Sequence, residues 1–162
     1  MAEVYIELAV QGGEVENGRR CYEPGSTVQG WTRLTPHGPV DCRRVVARLE
    51  WYTEGSGDCD QECAEEIELA SGRLSGPLVR NFSFTVPQQP WSYAGHYLNI
   101  MWRVAVVVEA IPLGLSDMLT DNPSRDEPIV VAPRRAAKLP TVPPRASVPP
   151  DVTPSRRAKK RG

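Results

Sequence analysis

The acidic stretch "DCDQEC" contains the side chains of this sequence that are best suited to binding a metal. Two thiols, Cys59 and Cys63, lie among the carboxylates of Asp58, Asp60 and Glu62. Zinc takes four ligands, usually in two closely spaced pairs, and only one such pair of cysteines is present. Calcium takes several oxygen ligands around a tight turn, but these carboxylates do not match an EF-hand loop. The stretch therefore predicts a solvated acidic loop with free thiols, and a metal- or small-ligand-binding module is the alternative function.

The two histidines, His37 and His96, are the candidates for acid–base catalysis. A catalytic triad needs a base within hydrogen-bond reach of a nucleophile and a carboxylate that orients the base. Neither histidine is accompanied by a nucleophile elbow, a phosphate-binding loop or a paired histidine. The glycine-containing "EGSGDCD" is acidic and has no lysine after it, so it does not suit phosphate. We therefore expect that the protein is not an enzyme and needs no cofactor.

The charged residues divide the chain of 162 residues into two regions of opposite sign. Residues 1–132 hold 10 Arg, no Lys and 19 Asp plus Glu, whereas residues 133–162 hold 9 Lys plus Arg and one Asp. The second region has seven prolines and no aromatic residue, so it cannot bury enough apolar surface to offset the entropy of ordering it. We predict a folded acidic domain over residues 1–132 and a disordered basic tail over residues 133–162.

The end of the tail, "SRRAKKRG", suits contact with a polyanion. Its basic residues could bind the phosphate groups of nucleic acid or anionic lipid. They are Arg156, Arg157, Lys159, Lys160 and Arg161. Because the tail has no aromatic residue to stack on bases, nonspecific electrostatic contact is the most that it supports. An equally good interpretation is that the tail folds back on its own acidic body, and its "PTVPP" fits the P-x-x-P pattern that binds aromatic-lined grooves.

The apolar residues before the tail recur with the two-residue period of β-strands, and no helical period is sustained. Strands are predicted at residues 4–10, 28–34, 45–52, 78–86, 97–109 and 127–132, with a short one around residues 67–69. Polar loops are predicted at "QGGEVENGRR" and "TEGSGDCDQECAEE", and a turn at Ser71 and Gly72. The strand over residues 97–109 is long and therefore central. Trp51 and Trp102 are expected in the interior, since each lies on the more apolar face of its strand.

About seven antiparallel strands, each with one apolar face, close a core most economically as two sheets packed face to face. The fold class is therefore all-β, a two-sheet antiparallel sandwich. No apolar run approaches the roughly 20 residues that cross a bilayer. The start "MAEVYIELAV" lacks a basic segment followed by an apolar one. We expect a cytoplasmic protein that is not transmembrane and whose thiols are reduced.

Three segments resemble, in this order, the arrestin-like family: "YEPGSTVQGWTRL", "RRVVARLEWYTEG" and "FSFTVPQQPWSYAGHYLNIMWRVAVVVEA". In that family a Y-x-P-G-x-x-V-x-G pattern leads into a strand, and a P-x-S-Y/F-x-G turn leads into a long strand. The matching positions are Pro24, Gly25, Gly30, Pro90, Ser92, Tyr93, Gly95 and Trp102. The resemblance covers about residues 3–132. It implies an immunoglobulin-like sandwich that binds proteins in sorting, signalling and scaffolding, without catalytic residues.

Most arrestin-like proteins pair two such sandwiches, and this chain has room for one. The resemblance therefore implies switching between sandwiches only if the protein forms a homodimer.

The turn "PWSYAG" is interpreted as a structural corner, in which proline and glycine set the backbone. In that interpretation the hydroxyl of Tyr93 satisfies buried backbone while its ring packs. The functional alternative places a protein partner on the exposed side of the following strand, around Met101, Arg103 and Val107. A sheet edge is a further surface open to an extended peptide. The sequence thus predicts a non-catalytic protein-binding adaptor or scaffold, with the tail for weaker electrostatic contacts.

Overall fold

The computed structural model describes residues 3–112 and 122–133, which form strands and loops. The strands within these two ranges are β1 (Val4–Gln11), β2 (Glu14–Glu16), β3 (Arg19–Tyr22), β4 (Thr27–Pro36), β5 (Val40–Gly55), β6 (Gln61–Leu74), β7 (Leu78–Thr85), β8 (Tyr93–Ala94), β9 (Leu98–Ala110) and β10 (Ser124–Val131). Within the described ranges there is no helix with the length and apolarity that crossing a membrane requires.

The strands form two sheets that enclose one core. The smaller sheet has the order β1-β4-β7, and the larger has the order β2-β3-β10-β9-β5-β6, with β8 added to β9. The predicted all-β two-sheet sandwich is confirmed. Neighbouring strands are antiparallel except at β3 and β10, where Cys21 and Tyr22 pair in parallel with Val130 and Val131.

Strand β4 shows how the alternation builds the core. Val28, Gly30, Thr32 and Leu34 are buried on one face, as the spacing predicts. A Cβ atom at position 30 would lie 2.5 Å from the ring of Phe82, so glycine lets that ring pack directly on the backbone of β4. The hydroxyl of Thr32 donates a hydrogen bond of 2.8 Å to a carbonyl of β1, which satisfies the polar group that this face buries.

Strand β9 is central, as predicted, because it lies between β5 and β10. Trp102 is only 1% exposed, and its indole N–H donates a hydrogen bond of 3.1 Å to the Pro90 carbonyl. Trp51 is its partner in register but is half-buried and packs against the core from its margin. The prediction for Trp102 is confirmed, and that for Trp51 holds only in part, because three strands cannot cover the full width of the larger sheet.

The loop predicted at "QGGEVENGRR" is wrong, since β2 and β3 form a hairpin there. Its turn is Asn17–Gly18, with positive φ angles of 51° and 75°. Asn-Gly is the preferred pair for a two-residue turn in which both residues have positive φ. The two strands are short, and β2 is fully exposed, so neither leaves an apolar alternation in the sequence.

The long loop predicted at "TEGSGDCDQECAEE" holds only for residues 56–60, because β5 continues to Gly55 and β6 extends from Gln61 to Leu74. The predicted turn at Ser71 and Gly72 lies inside this strand. Gly72 has φ +87° and faces Cys42, where the register of β5 and β6 shifts. Strand β6 is the edge of the larger sheet and is exposed along most of its length. Its core contacts are limited to Ile67, Leu69, Ala70 and Leu74, so only the short strand predicted around residues 67–69 shows in the sequence, and it lies within β6.

Candidate binding surfaces

The segment of residues 91–98, here called the aromatic turn, exposes an unusual amount of apolar surface. Trp91, Tyr93, Tyr97 and Leu98 are 49%, 57%, 77% and 43% exposed. These four make up half of the large hydrophobic side chains that are exposed among the described residues. The turn follows the cis Gln89–Pro90 peptide bond, includes β8 and leads into β9.

Hydrogen bonds to the sandwich hold the backbone of the aromatic turn in place. The Ser92 N–H donates to the Val131 carbonyl at 2.7 Å, and the Val131 N–H donates to the Ser92 Oγ at 2.9 Å. The Gly95 N–H donates to the Leu98 carbonyl and to the Asn99 Oδ1, both at 3.1 Å. The exposed rings are therefore carried by a backbone that β9 and β10 fix on both sides.

Three loops meet at this end of the sandwich. Gly55 pairs with Leu98, and the Ser56 N–H donates to the Tyr97 carbonyl at 3.3 Å, so the β5–β6 loop adjoins the aromatic turn. The turn before β4 joins from the smaller sheet, where the Gly25 N–H donates to the Val86 carbonyl at 2.8 Å. We call residues 23–26, 54–60 and 87–98 together the aromatic end.

The aromatic end carries charge of one sign. Its charged residues are Glu23, Glu54, Asp58 and Asp60, and its three segments contain no Lys or Arg. Large aromatic side chains and carboxylates thus share one surface. Such a surface suits a ligand that is apolar and positively charged.

The predicted partner contacts Met101, Arg103 and Val107 lie on the outer face of β9, and all three are half-buried. The Arg103 Nε donates to the Glu50 Oε1 at 2.6 Å, and its guanidinium lies 4.5 Å from the centre of the Tyr52 ring. Glu50 is almost fully buried and accepts a second hydrogen bond from the Gln61 amide at 3.1 Å. The charge of Arg103 is therefore compensated within the protein.

A second group of ion pairs covers the same outer face and joins β5, β6 and β9. It consists of Arg44, Arg48, Glu66 and Glu109. The hydrogen bond from Arg48, at 2.7 Å, is the main cause that lowers the pKa of Glu66. Bonds from Arg44, both at 3.0 Å, do the same for the pKa of Glu109. The four side chains satisfy one another, so this face presents few charges that lack a partner of opposite sign.

Side chains also cover part of the edge where β6 and β7 approach each other. The Arg80 Nε on β7 donates to the Leu69 carbonyl on β6 at 3.2 Å. The Glu65 carboxylate on β6 accepts from the Thr85 N–H on β7 at 2.9 Å. These backbone groups are among those that an added peptide strand would need.

One solved structure establishes the fold type. Spo0M, the sporulation control protein from Bacillus subtilis, is similar to this chain with a TM-score of 0.57 and 14% sequence identity. The fold is arrestin-like. The similarity covers 79% of this chain and 49% of Spo0M, so the chain spans about half the length of that protein. No protein-family model matches the chain, and no curated protein matches its sequence.

The sequence predicts that Tyr93 satisfies a buried backbone group with its hydroxyl while its ring packs. In this arrestin-like sandwich another tyrosine does so. Tyr22 is 2% exposed, and its hydroxyl donates to the Gln11 carbonyl at 2.7 Å. Burial raises the pKa of the Tyr22 hydroxyl. The ring of Tyr93 is instead more than half exposed and lies against Gly95, where no Cβ would fit. Both tyrosines stand beside turn residues, so sequence spacing could not tell them apart.

The cysteines and histidines that could do chemistry are dispersed. Cys59 and Cys63 are both exposed: Cys59 lies in the β5–β6 loop, and Cys63 lies on β6, where its thiol donates to the Glu65 carbonyl at 3.3 Å. Burial is the main cause that raises the pKa of the Cys63 thiol. His37 follows the far end of β4, the length of the sandwich away from His96 in the aromatic turn. Among the described residues no group of three or more His, Cys, Asp or Glu could hold a metal ion, so the metal-binding alternative gains no support.

The predicted contacts in the tail, from Arg156 to Arg161, lie outside the described residues. The division between a domain over residues 1–132 and a tail over residues 133–162 stays a prediction. Strand β10 ends at Val131, close to the predicted boundary. Within residues 3–112 and 122–133, which the structure describes, the hydrophobic core cluster includes residues from Val4 to Val131.

Proposed function

We propose that this protein is a non-catalytic protein-binding adaptor whose sandwich engages its partner through the aromatic end. The observation that carries the proposal is the exposure of Trp91, Tyr93, Tyr97 and Leu98 on a backbone that is fixed by hydrogen bonds. Tryptophan and tyrosine are enriched at protein interfaces, where one rigid ring buries a large area at little cost in conformational entropy. Full burial of an exposed side chain of this size contributes roughly 1.5–3 kcal/mol before the costs of association, and these partly buried rings gain the share that corresponds to their exposed area.

The outer face of β9 is the weaker candidate surface. A partner that covered Arg103 or the Arg44–Glu109 pair would have to remove water from ion pairs that are already complete. A partner at the aromatic end displaces water mainly from apolar rings, which is favourable. Met101, Arg103 and Val107 therefore remain a second surface in this proposal.

The charge of the aromatic end indicates the kind of partner. Carboxylates at Glu23, Glu54, Asp58 and Asp60 favour a segment with Lys or Arg beside apolar residues and disfavour an acidic one. The unpaired thiols of Cys21, Cys42, Cys59 and Cys63 support a reducing compartment such as the cytoplasm. A homodimer through the aromatic end is the less favoured arrangement, because it would bring two acidic surfaces together.

The proposal is tested by quantitative capture of partners from cells that make the protein. The full-length chain, the variant W91A/Y97A and the outer-face variant M101A/V107A are used as bait in parallel. Trp91 and Tyr97 are largely exposed, so their removal should leave folding intact, which the unfolding midpoint verifies.

We expect W91A/Y97A to lose the partner and M101A/V107A to retain it. If only M101A/V107A failed to capture the partner, the binding site would be assigned to the outer face of β9. Identical capture by all three would contradict binding through the aromatic end.

A further inference from the structure

We infer that the aromatic end also binds a segment of the same chain, the proline-rich stretch "LPTVPPR" of residues 139–145, which competes there with the partner. The inference uses the surface of the proposed function and names an occupant for it. It depends on where the chain leaves the sandwich, how far residues 139–145 reach, and how their chemistry matches the surface.

The chain leaves the sandwich beside the aromatic turn. The N–H and carbonyl of Val131 both bond to Ser92, and the Ala132 N–H donates to the Tyr22 carbonyl at 3.1 Å. Ala132 thus passes between β3 and the aromatic turn. Ser92, which holds β10 at this point, is flanked in the chain by the exposed rings of Trp91 and Tyr93. Pro133, which ends the described part of the chain, is therefore two residues beyond the Val131–Ser92 pair.

The segment is near enough to reach the whole surface. Pro140 is seven residues beyond Pro133, which corresponds to about 20 Å in a polyproline II conformation. Tyr97 lies on the far side of the aromatic turn, beside the β5–β6 loop. Neighbouring strands are about 4.8 Å apart, so crossing from β10 to β5 requires roughly 10 Å. The intervening residues span that distance even if the chain reverses direction.

The chemistry of the segment matches the surface. Pro140 and Pro143 are three residues apart, which places them on one face of a polyproline II helix. Polyproline II ligands with this spacing bind aromatic-lined grooves, at a low entropic cost because that conformation is stiff before binding. Arg145 follows two residues later and can reach a carboxylate of the aromatic end. Residues 133–145 carry four basic side chains and no acidic one, opposite in sign to this surface.

Covalent attachment makes even a weak site largely occupied. A short flexible linker gives an effective concentration of about 1 mM. If the separate segment bound with a Kd of about 0.1 mM, the attached segment would occupy the site roughly 90% of the time. A partner would then have to displace it, and its apparent affinity would fall by about 10-fold.

A neighbouring acidic groove is the competing location for the tail. It has a volume of about 580 Å³, is lined by Glu14, Glu16 and Pro133, among others, and shares Glu23 and Ser26 with the aromatic end. It lies on the β2–β3 side of the exit and has none of the exposed rings of the aromatic turn. We favour the aromatic end because prolines at three-residue spacing need rings to pack on. The charge variant E14Q/E16Q distinguishes the two locations.

The test uses the fluorescent peptide AKLPTVPPRAS, which spans residues 137–147, and full-length proteins. Anisotropy gives the Kd for the wild type and for P140A/P143A/R145A, in which the attached segment is impaired. The same tail variant is also prepared with W91A/Y97A and with E14Q/E16Q. A peptide of the same composition in scrambled order is the control for charge alone.

We expect the tail variant to bind the peptide about 10-fold more tightly than the wild type, because its site is vacant. Adding W91A/Y97A should abolish binding, whereas adding E14Q/E16Q should change it little. Equal affinity for the wild type and the tail variant would overturn the inference. The inference would also be overturned if E14Q/E16Q abolished peptide binding and W91A/Y97A did not, or if the scrambled peptide bound as tightly as the native one.

Two further results separate this inference from the proposed function. If W91A/Y97A loses the partner but still binds the peptide, the adaptor proposal stands and the tail inference falls. If it loses the peptide but keeps the partner, the segment binds the aromatic end, whereas the partner site and the competition for it are overturned. A wild type that elutes as a dimer and a tail variant that elutes as a monomer would assign the segment to a second copy and overturn binding within one chain.

Discussion

Ser92 and Val131 are joined by two hydrogen bonds that tie the aromatic turn to the last strand of the sandwich. The Ser92 N–H donates to the Val131 carbonyl at 2.7 Å, and the Ser92 Oγ accepts from the Val131 N–H at 2.9 Å. Val131 is fully buried, so water cannot replace the hydroxyl as an acceptor. One side chain thus positions the turn and satisfies the end of β10.

Ser92→Ala should destabilise the protein by about 1–3 kcal/mol, because it leaves the buried Val131 N–H without its acceptor. Urea unfolding measures the change. Ser83→Ala, on the exposed face of β7, is the matched control and should stay within about 0.5 kcal/mol of the wild type. Equal stability of the two variants would show that the Ser92 hydroxyl is dispensable.

Trp102→Ala should cost roughly 3–5 kcal/mol, the usual range for deleting a fully buried large aromatic side chain. Trp91→Ala should cost much less, since about half of that side chain is already in water. Comparing the unfolding free energies of the two variants checks both positions. A soluble Trp102→Ala protein with unchanged stability would place Trp102 outside the core.

The ion pairs of Glu66 and Glu109 should make stability depend on pH. Hydrogen bonds from Arg48 and Arg44 lower the pKa of Glu66 and of Glu109, respectively, below the ordinary value of 4.5. The stabilisation is therefore complete above pH 4.5 and is lost as the pH falls through the lowered values. E66Q/E109Q should be less stable than the wild type at pH 7, and the difference should shrink below pH 4.5.

Urea unfolding between neutral and acidic pH tests this prediction. The exposed Glu127→Gln is the control, and its difference from the wild type should be small throughout. If the difference in unfolding free energy between E66Q/E109Q and the wild type did not change with pH, the ion pairs would not supply the stabilisation.

Removal of metal ions should leave the thermal stability unchanged. A metal that binds only the folded state would raise the melting temperature, and a chelator would lower it again. The measurement is the melting temperature with and without chelator, for the wild type and for C59S/C63S. Stoichiometric zinc or calcium that is lost together with stability in C59S/C63S would revive the metal-binding alternative.

Binding of the tail to a polyanion should be strongly salt-dependent, because it is driven by the release of counterions. The measured quantity is the slope of the logarithm of the binding constant against the logarithm of the salt concentration. Replacing the five basic residues from Arg156 to Arg161 with Gln should make that slope less negative by up to about four to five. Double-stranded DNA of arbitrary sequence and vesicles of anionic lipid are the two probes. Binding that these substitutions leave unchanged would exclude this end of the tail as the contact.

Local patterns account for the part of the fold that could be predicted. In β4, buried residues alternate with more exposed ones, and in β9 the apolar residues that enter the core recur at every second position, so these strands could be recognised one residue at a time. The β2–β3 hairpin had only the Asn17–Gly18 turn as a signal, and β6 had only the short apolar stretch of residues 67–69, because most of an exposed edge strand needs no apolar face. The aromatic turn was recognised as a corner, but alternation could not show which tyrosine the core would enclose.

The sequence by itself determined an all-β sandwich and a division between an acidic body and a basic tail, because alternation and composition are properties of neighbouring residues. Only the tertiary structure decided which distant segments meet. It brought residues 23–26, 54–60 and 87–98 together as the aromatic end, and Arg44 within 3.0 Å of Glu109. Such contacts depend on the order and register of strands. The order and register are set by the pairing and packing of the whole sandwich, which no local pattern encodes.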